Sequence, residues 1–102
     1  MIRGVVSMDF LVKIFKALAN QHRIELIHLL NGGEREISDL SKRLGLPYKT
    51  VARNLKILER TNLVLSRRWK GMVYYSLRKE GQLDYNRILF SVIEKRYKRD
   101  SK

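Results

Sequence analysis

PYKTVARNLKILERTNLVLSRRWKGM, residues 47–72, decides the fold of this 102-residue chain. Val51, Leu55 and Leu58 recur at i, i+4 and i+7, which makes one apolar helical stripe. Opposite that stripe lie Lys49, Thr50, Arg53, Lys56 and Arg60. Residues 63–78 then switch to β-rich composition, with Lys70-Gly71 placed as a hairpin tip because glycine supports positive φ. The segment 47–72 holds seven of the 22 basic residues and a single acid, Glu59. Half of the formal net charge of +12 sits there, so the charge is placed and not merely abundant. A basic helix running into a basic hairpin suits a nucleic-acid duplex: the helix fits the major groove and the hairpin reaches flanking phosphates.

Working outward, Ser38-Asp39-Leu40-Ser41 predicts a short helix capped by Ser38 and stopped by Gly45. Leu46-Pro47 turns into the basic helix, with Pro47 in its tolerant first turn. Short helix, turn and longer helix read as a helix-turn-helix, and the following hairpin reads as a wing. Ile37, flanked by Arg35 and Glu36, is a candidate for a short third strand. Upstream, residues 8–19 carry a broad apolar face (Met8, Phe10, Leu11, Ile14, Phe15, Leu18), and Asn20 caps a second helix, Gln21 to Leu30. Downstream, residues 82–97 form a helix with Leu83, Ile88, Leu89, Val92, Ile93 and Tyr97 available for burial.

The expected class is mainly α with a small β-hairpin, a winged helix-turn-helix in the order ααβααββα. Residues 1–7 form an extended lead-in, 8–97 the DNA-binding domain and 98–102 a basic tail, with KRYKRDSK supplying a further +4. A chain this short buries only a modest share of its surface. The apolar faces of 8–19 and 82–97 exceed what one core covers, which points to a homodimer joined through the terminal helices.

The sequence has no cysteine, which excludes disulfides and thiolate-bound metals. No apolar run approaches a membrane span and no signal peptide is recognisable, so a cytoplasmic, nucleoid-associated protein with no membrane partner is expected. His22 and His28 lie six apart with no third ligand nearby, so no metal site is assigned. Nothing resembles a nucleophile–base pair or a phosphate-cradling glycine loop. No catalytic residue and no cofactor is therefore expected, and the chain does not read as an enzyme.

Five segments together resemble the ArsR/SmtB-type transcriptional repressors over roughly residues 10–78. FKALANQHRIELI (15–27) is similar to the family's opening stretch. Ile37-Ser38-Asp39-Leu40 with Leu44-Gly45-Leu46 resembles the first motif helix, and TVARNLKIL (50–58) the recognition helix. Leu63-Val64, Arg67-Arg68, Gly71, Val73-Tyr74-Tyr75 and Leu77 resemble the wing. The resemblance implies a homodimeric DNA-binding regulator. Many relatives sense metal through cysteines just before the motif's Asp-Leu, where this chain has Glu36 and Ser38. Others bind zinc through Asp and His on the C-terminal helix, which here has Asp84 and Glu94 but no His. The chain reads as a family member without those metal sites.

Within that frame the candidate DNA-binding residues are Tyr48, Lys49, Thr50, Arg53, Lys56, Arg60, Arg67, Arg68 and Lys70. Arg53 is favoured as a guanine reader over a merely solvated arginine. Tyr48 is open between base contact and packing on the preceding turn, and Thr50 between DNA contact and stabilising the helix start. Asn54 could read adenine but lies nearer the core side. In the wing, alternation points Arg67 and Arg68 to opposite faces, leaving one of them a purely solvated option. Trp69 is favoured as a prop for the hairpin over a group against the DNA sugar. The leading expectation is a sequence-specific homodimeric regulator, a repressor by resemblance, bound to double-stranded DNA. The alternative is a sequence-indifferent architectural protein, for which the net charge is well suited.

Overall fold

The computed structural model describes residues 8–79 and 85–100. Its elements are α1 (Met8–Leu18), α2 (Gln21–Leu30), β1 (Arg35–Glu36), α3 (Ile37–Leu44), α4 (Tyr48–Arg60), β2 (Val64–Trp69), β3 (Met72–Leu77) and α5 (Tyr85–Asp100). This is the expected winged helix-turn-helix order. The lead-in 1–7, Leu83 and the expected α5 start at Gln82 lie outside the described residues.

Helix ends follow from local chemistry. Asn20 is extended and its side chain accepts from the Arg23 backbone N–H, the bond that makes asparagine a good cap. Gly45 ends α3 at φ 66°, a left-handed conformation that glycine adopts without a Cβ clash. Two boundaries differ from expectation. Ser38 is not a cap: α3 begins at Ile37, Glu36 occupies the cap position without a side-chain cap bond, and Ser38 Oγ donates to Glu36 Oε2 at 3.2 Å. Arg35 and Glu36 pair with Tyr75 and Tyr74, so the chain passes directly from strand to helix and Ile37 enters the core instead of the sheet. Pro47 stands one residue before α4, where its carbonyl accepts from Val51 N–H.

The sheet is antiparallel in the order β1-β3-β2. The hairpin pairs Val64 with Leu77 through Trp69 with Met72, closed by Lys70 (φ 50°) and Gly71 (φ 81°). Positive φ at both turn residues gives the turn whose twist matches two antiparallel strands.

Ile14, Leu26, Ile27, Leu30, Leu40, Val51, Leu55, Leu58 and Leu63 are essentially inaccessible and form the centre of the core. Each such side chain contributes roughly 1.5–3 kcal/mol by leaving water. Val51, Leu55 and Leu58 are the stripe that fixes which face of α4 turns outward.

Helix α5 divides its apolar residues between core and surface. Ile88 and Val92 are 65% and 62% exposed, whereas Phe90 and Ile93 are buried. Asn86 sets this rotation: it is buried, and its Nδ2 donates to the Asn62 and Arg78 carbonyls at 3.0 and 2.9 Å. His28 on α2 completes the anchorage, with Nδ1 2.6 Å from Glu94 Oε2 and its ring stacked on Tyr97 at 3.8 Å. The helix also runs to Asp100, past the expected end at 97. Lys98 and Arg99 in its last turn suit the partial negative charge of a helix C-terminus.

Candidate nucleic-acid interface

With Val51, Asn54, Leu55 and Leu58 facing inward, the helical period turns Lys49, Arg53, Lys56 and Arg60 to the opposite side of α4. Tyr48, half-exposed, begins the helix, and Thr50 is partly buried at its edge. Arg60 shares the angular face of Arg53 but stands about 10 Å further along the axis at 1.5 Å per residue. It lines a groove with α1 and not the groove beside the wing.

Between α4 and the wing lies an open groove of about 510 Å³. Tyr48, Ala52 and Lys56 form its helical wall, and Ser66, Arg67, Arg68, Val73 and Tyr75 form its sheet wall. Glu59, the single acid of this region, holds the two walls together. Its Oε2 accepts from Ser66 Oγ at 2.7 Å and its Oε1 from Tyr75 Oη at 3.3 Å, while Lys56 Nζ lies 3.7 Å away. Burial, with Glu59 beside it, pushes the Tyr75 phenol above its usual range, so the hydroxyl stays a donor to this carboxylate. Glu59 is therefore a fastener between recognition helix and wing.

The wing arginines are not equivalent. Arg67 donates from Nε and Nη2 to the two Glu34 oxygens at 2.6 and 2.7 Å, and its guanidinium lies 4.9 Å from the Tyr74 ring centroid. The paired hydrogen bonds hold Glu34 below the usual carboxylate range and raise Arg67. Arg68 is exposed and lines the same groove as Arg67. Among the described residues Lys49, Arg53 and Arg68 make no ion pair. At the tip, Lys70 Nζ lies 4.5 Å from the Trp69 ring centroid, and Trp69 is half-exposed.

Asn54 does not join this surface. It is 9% exposed; its Oδ1 accepts from Arg23 Nη1 at 2.8 Å and its Nδ2 donates to the Thr50 carbonyl at 3.0 Å. Arg23 also donates to the Ala17 and Lys16 carbonyls at 2.5 and 3.4 Å, so one guanidinium closes the C-terminus of α1 and pins the middle of α4. A parallel staple holds the helix-turn-helix: Arg35 donates to the Leu29 carbonyl and to Asp39, which also accepts from Arg43. These two hydrogen bonds lower the Asp39 carboxyl. Sequence reasoning missed Arg23, Glu34, Glu59 and Asn86, whose partners are far away in sequence or are backbone carbonyls.

Among the described residues no group of three or more His, Asp or Glu could hold a metal ion. No described helix is long and apolar enough to cross a membrane.

A family model for bacterial regulatory proteins of the arsR family matches residues 20–66, from the cap of α2 into β2. The solution structure of the homodimeric winged helix-turn-helix DNA-binding domain of Mb0332 from Mycobacterium bovis, a possible ArsR-family transcriptional regulator, superposes with a TM-score of 0.74 at 30% identity. That alignment covers 85% of this chain and 77% of the other. The chain belongs to the ArsR family. Curated relatives are transcription regulators. The HTH-type transcriptional regulator Rv0324 of Mycobacterium tuberculosis is 32% identical over 74% of this chain. The transcriptional activator HlyU of Vibrio cholerae is 33% identical over 65%, and the transcriptional repressor SdpR of Bacillus subtilis 27% identical over 63%. This ArsR-family chain spans 33% of the length of Rv0324, 61% of HlyU and 71% of SdpR. The family is one of transcription regulators and not of enzymes.

Proposed function

We propose that this ArsR-family chain is a sequence-specific, double-stranded-DNA-binding transcription regulator that acts as a homodimer and represses. The observation that carries this reading is the outward face of α4: Lys49, Arg53 and Lys56 stand there beside Tyr48, and the nearby acid, Glu59, is turned to the wing. A helix with that face enters the major groove; Arg53 reads guanine, and Tyr48, Lys49 and Thr50 act at the groove floor and edge. Arg68 and Lys70 neutralise flanking phosphates, which makes affinity fall with salt. Arg67 contributes after exchanging Glu34 for a phosphate oxygen. Lys56 and Arg60 extend the positive field along the helix.

Homodimerisation is supported by exposed apolar side chains on both terminal helices. Met8, Val12 and Phe15 line one side of α1 at 71%, 42% and 54% exposure, and Ile88 and Val92 one side of α5. Helices 8–19 and 82–97 would form the interface, placing two recognition helices on successive major grooves. Repression is the sign implied by the family resemblance. Glu36 and Ser38 in place of cysteines, and an α5 without histidine, support a regulator that does not respond to metal through the family's usual sites. Such a protein acts in the cytoplasm, on the nucleoid.

A second reading, sequence-indifferent coating of DNA, is favoured by the +12 net charge. Footprinting of sheared genomic DNA retained on the protein at physiological salt separates the two. A few discrete protected windows support the regulator; uniform protection supports the coat.

A further inference from the structure

Away from the wing, α1, the start of α2 and the C-terminal half of α4 border a second open groove of about 410 Å³. Phe10, Ala17 and Ile57 give it an apolar floor, and Lys13, Lys16 and Arg60 stand around it. Among the described residues no carboxylate lines it. Among the described residues none of these three cations makes an ion pair.

We infer that this groove binds an organic monoanion with an apolar body, a monocarboxylate carrying an aliphatic chain or ring. Its volume lies within the roughly 300–1,000 Å³ of small-molecule sites, and an apolar lining with a few convergent polar groups is their usual composition. Four like charges around one opening, Arg23 with Lys13, Lys16 and Arg60, repel one another in an already basic protein, and a bound anion relieves that repulsion. The apolar floor sets the class. A hydrated phosphate gains nothing from Phe10 and Ile57, whereas an alkyl or aryl group buried there gains about 25 cal/mol per Å². Arg60 offers a planar fork that matches a carboxylate, and the lysines add point charges.

Occupancy is mechanically connected to the recognition helix. The groove is lined by Arg23, whose guanidinium holds the Lys16 and Ala17 carbonyls on one side and Asn54 of α4 on the other. A ligand seated between Phe10 and Ile57 therefore bears on the α1–α4 spacing that this arginine sets. This regulatory part rests on the DNA-binding reading above; the binding site itself does not.

The test is a calorimetric titration of the full chain with dodecanoate below its micelle concentration, without DNA. Acetate and dodecyltrimethylammonium serve as controls that lack the chain or the negative charge. Saturable binding of dodecanoate, with both controls weaker by about tenfold or more, is expected. Lys13→Gln/Lys16→Gln should lose about tenfold in dodecanoate affinity, while Lys42→Gln/Lys95→Gln, equal in charge, should lose none. Absence of saturable binding overturns the site. So does equal binding of the cationic detergent, or unchanged affinity in Lys13→Gln/Lys16→Gln. Weaker DNA binding by that variant without dodecanoate binding assigns the lysines to the DNA footprint instead. Dodecanoate binding that leaves DNA affinity unchanged keeps the site and overturns its regulatory part.

Discussion

Arg23 Nη1 donates to Asn54 Oδ1 at 2.8 Å, joining the start of α2 to the middle of the recognition helix. The bond removes Asn54 from any base-reading role, because both ends of its amide are satisfied within the fold. Asn54→Ala leaves a partly buried guanidinium bond unmade, which costs about 1.5–3 kcal/mol. Urea unfolding should show that loss, while the preferred DNA sequence stays the same. A changed base preference in a stably folded variant would return Asn54 to the interface.

Arg53 has the opposite profile: exposed, without an ion pair among the described residues, on the outward face of α4. Arg53→Ala should cost about 1–3 kcal/mol on the preferred site and relax discrimination at one base pair. Thermal stability should change little. Competition between preferred and random duplexes is the check. An unchanged affinity ratio would remove Arg53 as a reader.

These two neighbours mark what the sequence can and cannot reveal. The 3.6-residue period of Val51, Leu55 and Leu58 is a local signal, so the facing of α4 and the positions of Lys49, Arg53 and Lys56 were legible. The hairpin tip was legible too, since Lys70-Gly71 carries its own turn chemistry. The Arg23–Asn54 bond spans 31 residues and the His28–Glu94 contact 66, and no periodicity encodes such pairs. Charge counting likewise treated Arg67 as free, although its partner Glu34 lies 33 residues earlier in a segment that is neutral overall. Apolar spacing left open which of the α5 residues meet the core, because it fits two rotations, and the buried Asn86 selects one of them.

In the proposed complex, a phosphate would compete with Glu34 for the Arg67 guanidinium that the carboxylate holds. Glu34→Gln should therefore strengthen DNA binding, because Arg67 then reaches its phosphate without first giving up a carboxylate. Anisotropy titrations at one fixed salt concentration test this; an unchanged affinity would exclude Arg67 from the contacts. The same carboxylate fixes an acid response. Glu34 and Asp39 titrate below their ordinary values of 4.5 and 3.8, so their stabilisation is present above those values and lost as pH falls through the lower folded ones. Acid unfolding of Glu34→Gln/Asp39→Asn should thus be shallower below about pH 4 than that of the parent chain.

Val92 is 62% exposed on α5 and has no place in the core. Val92→Glu should leave the fold intact, since surface substitutions outside special features change stability by only about 0.5 kcal/mol. It should nevertheless shift sedimentation from two chains to one and weaken DNA binding by more than tenfold through loss of the second half-site. A dimer that survives the substitution would place the interface elsewhere.

Selection of random duplexes by the purified protein at about 150 mM salt addresses the central claim most directly. The account predicts enrichment of an inverted repeat with half-sites about 10 base pairs apart, centre to centre. Strong binding at low salt with no enriched sequence would contradict it.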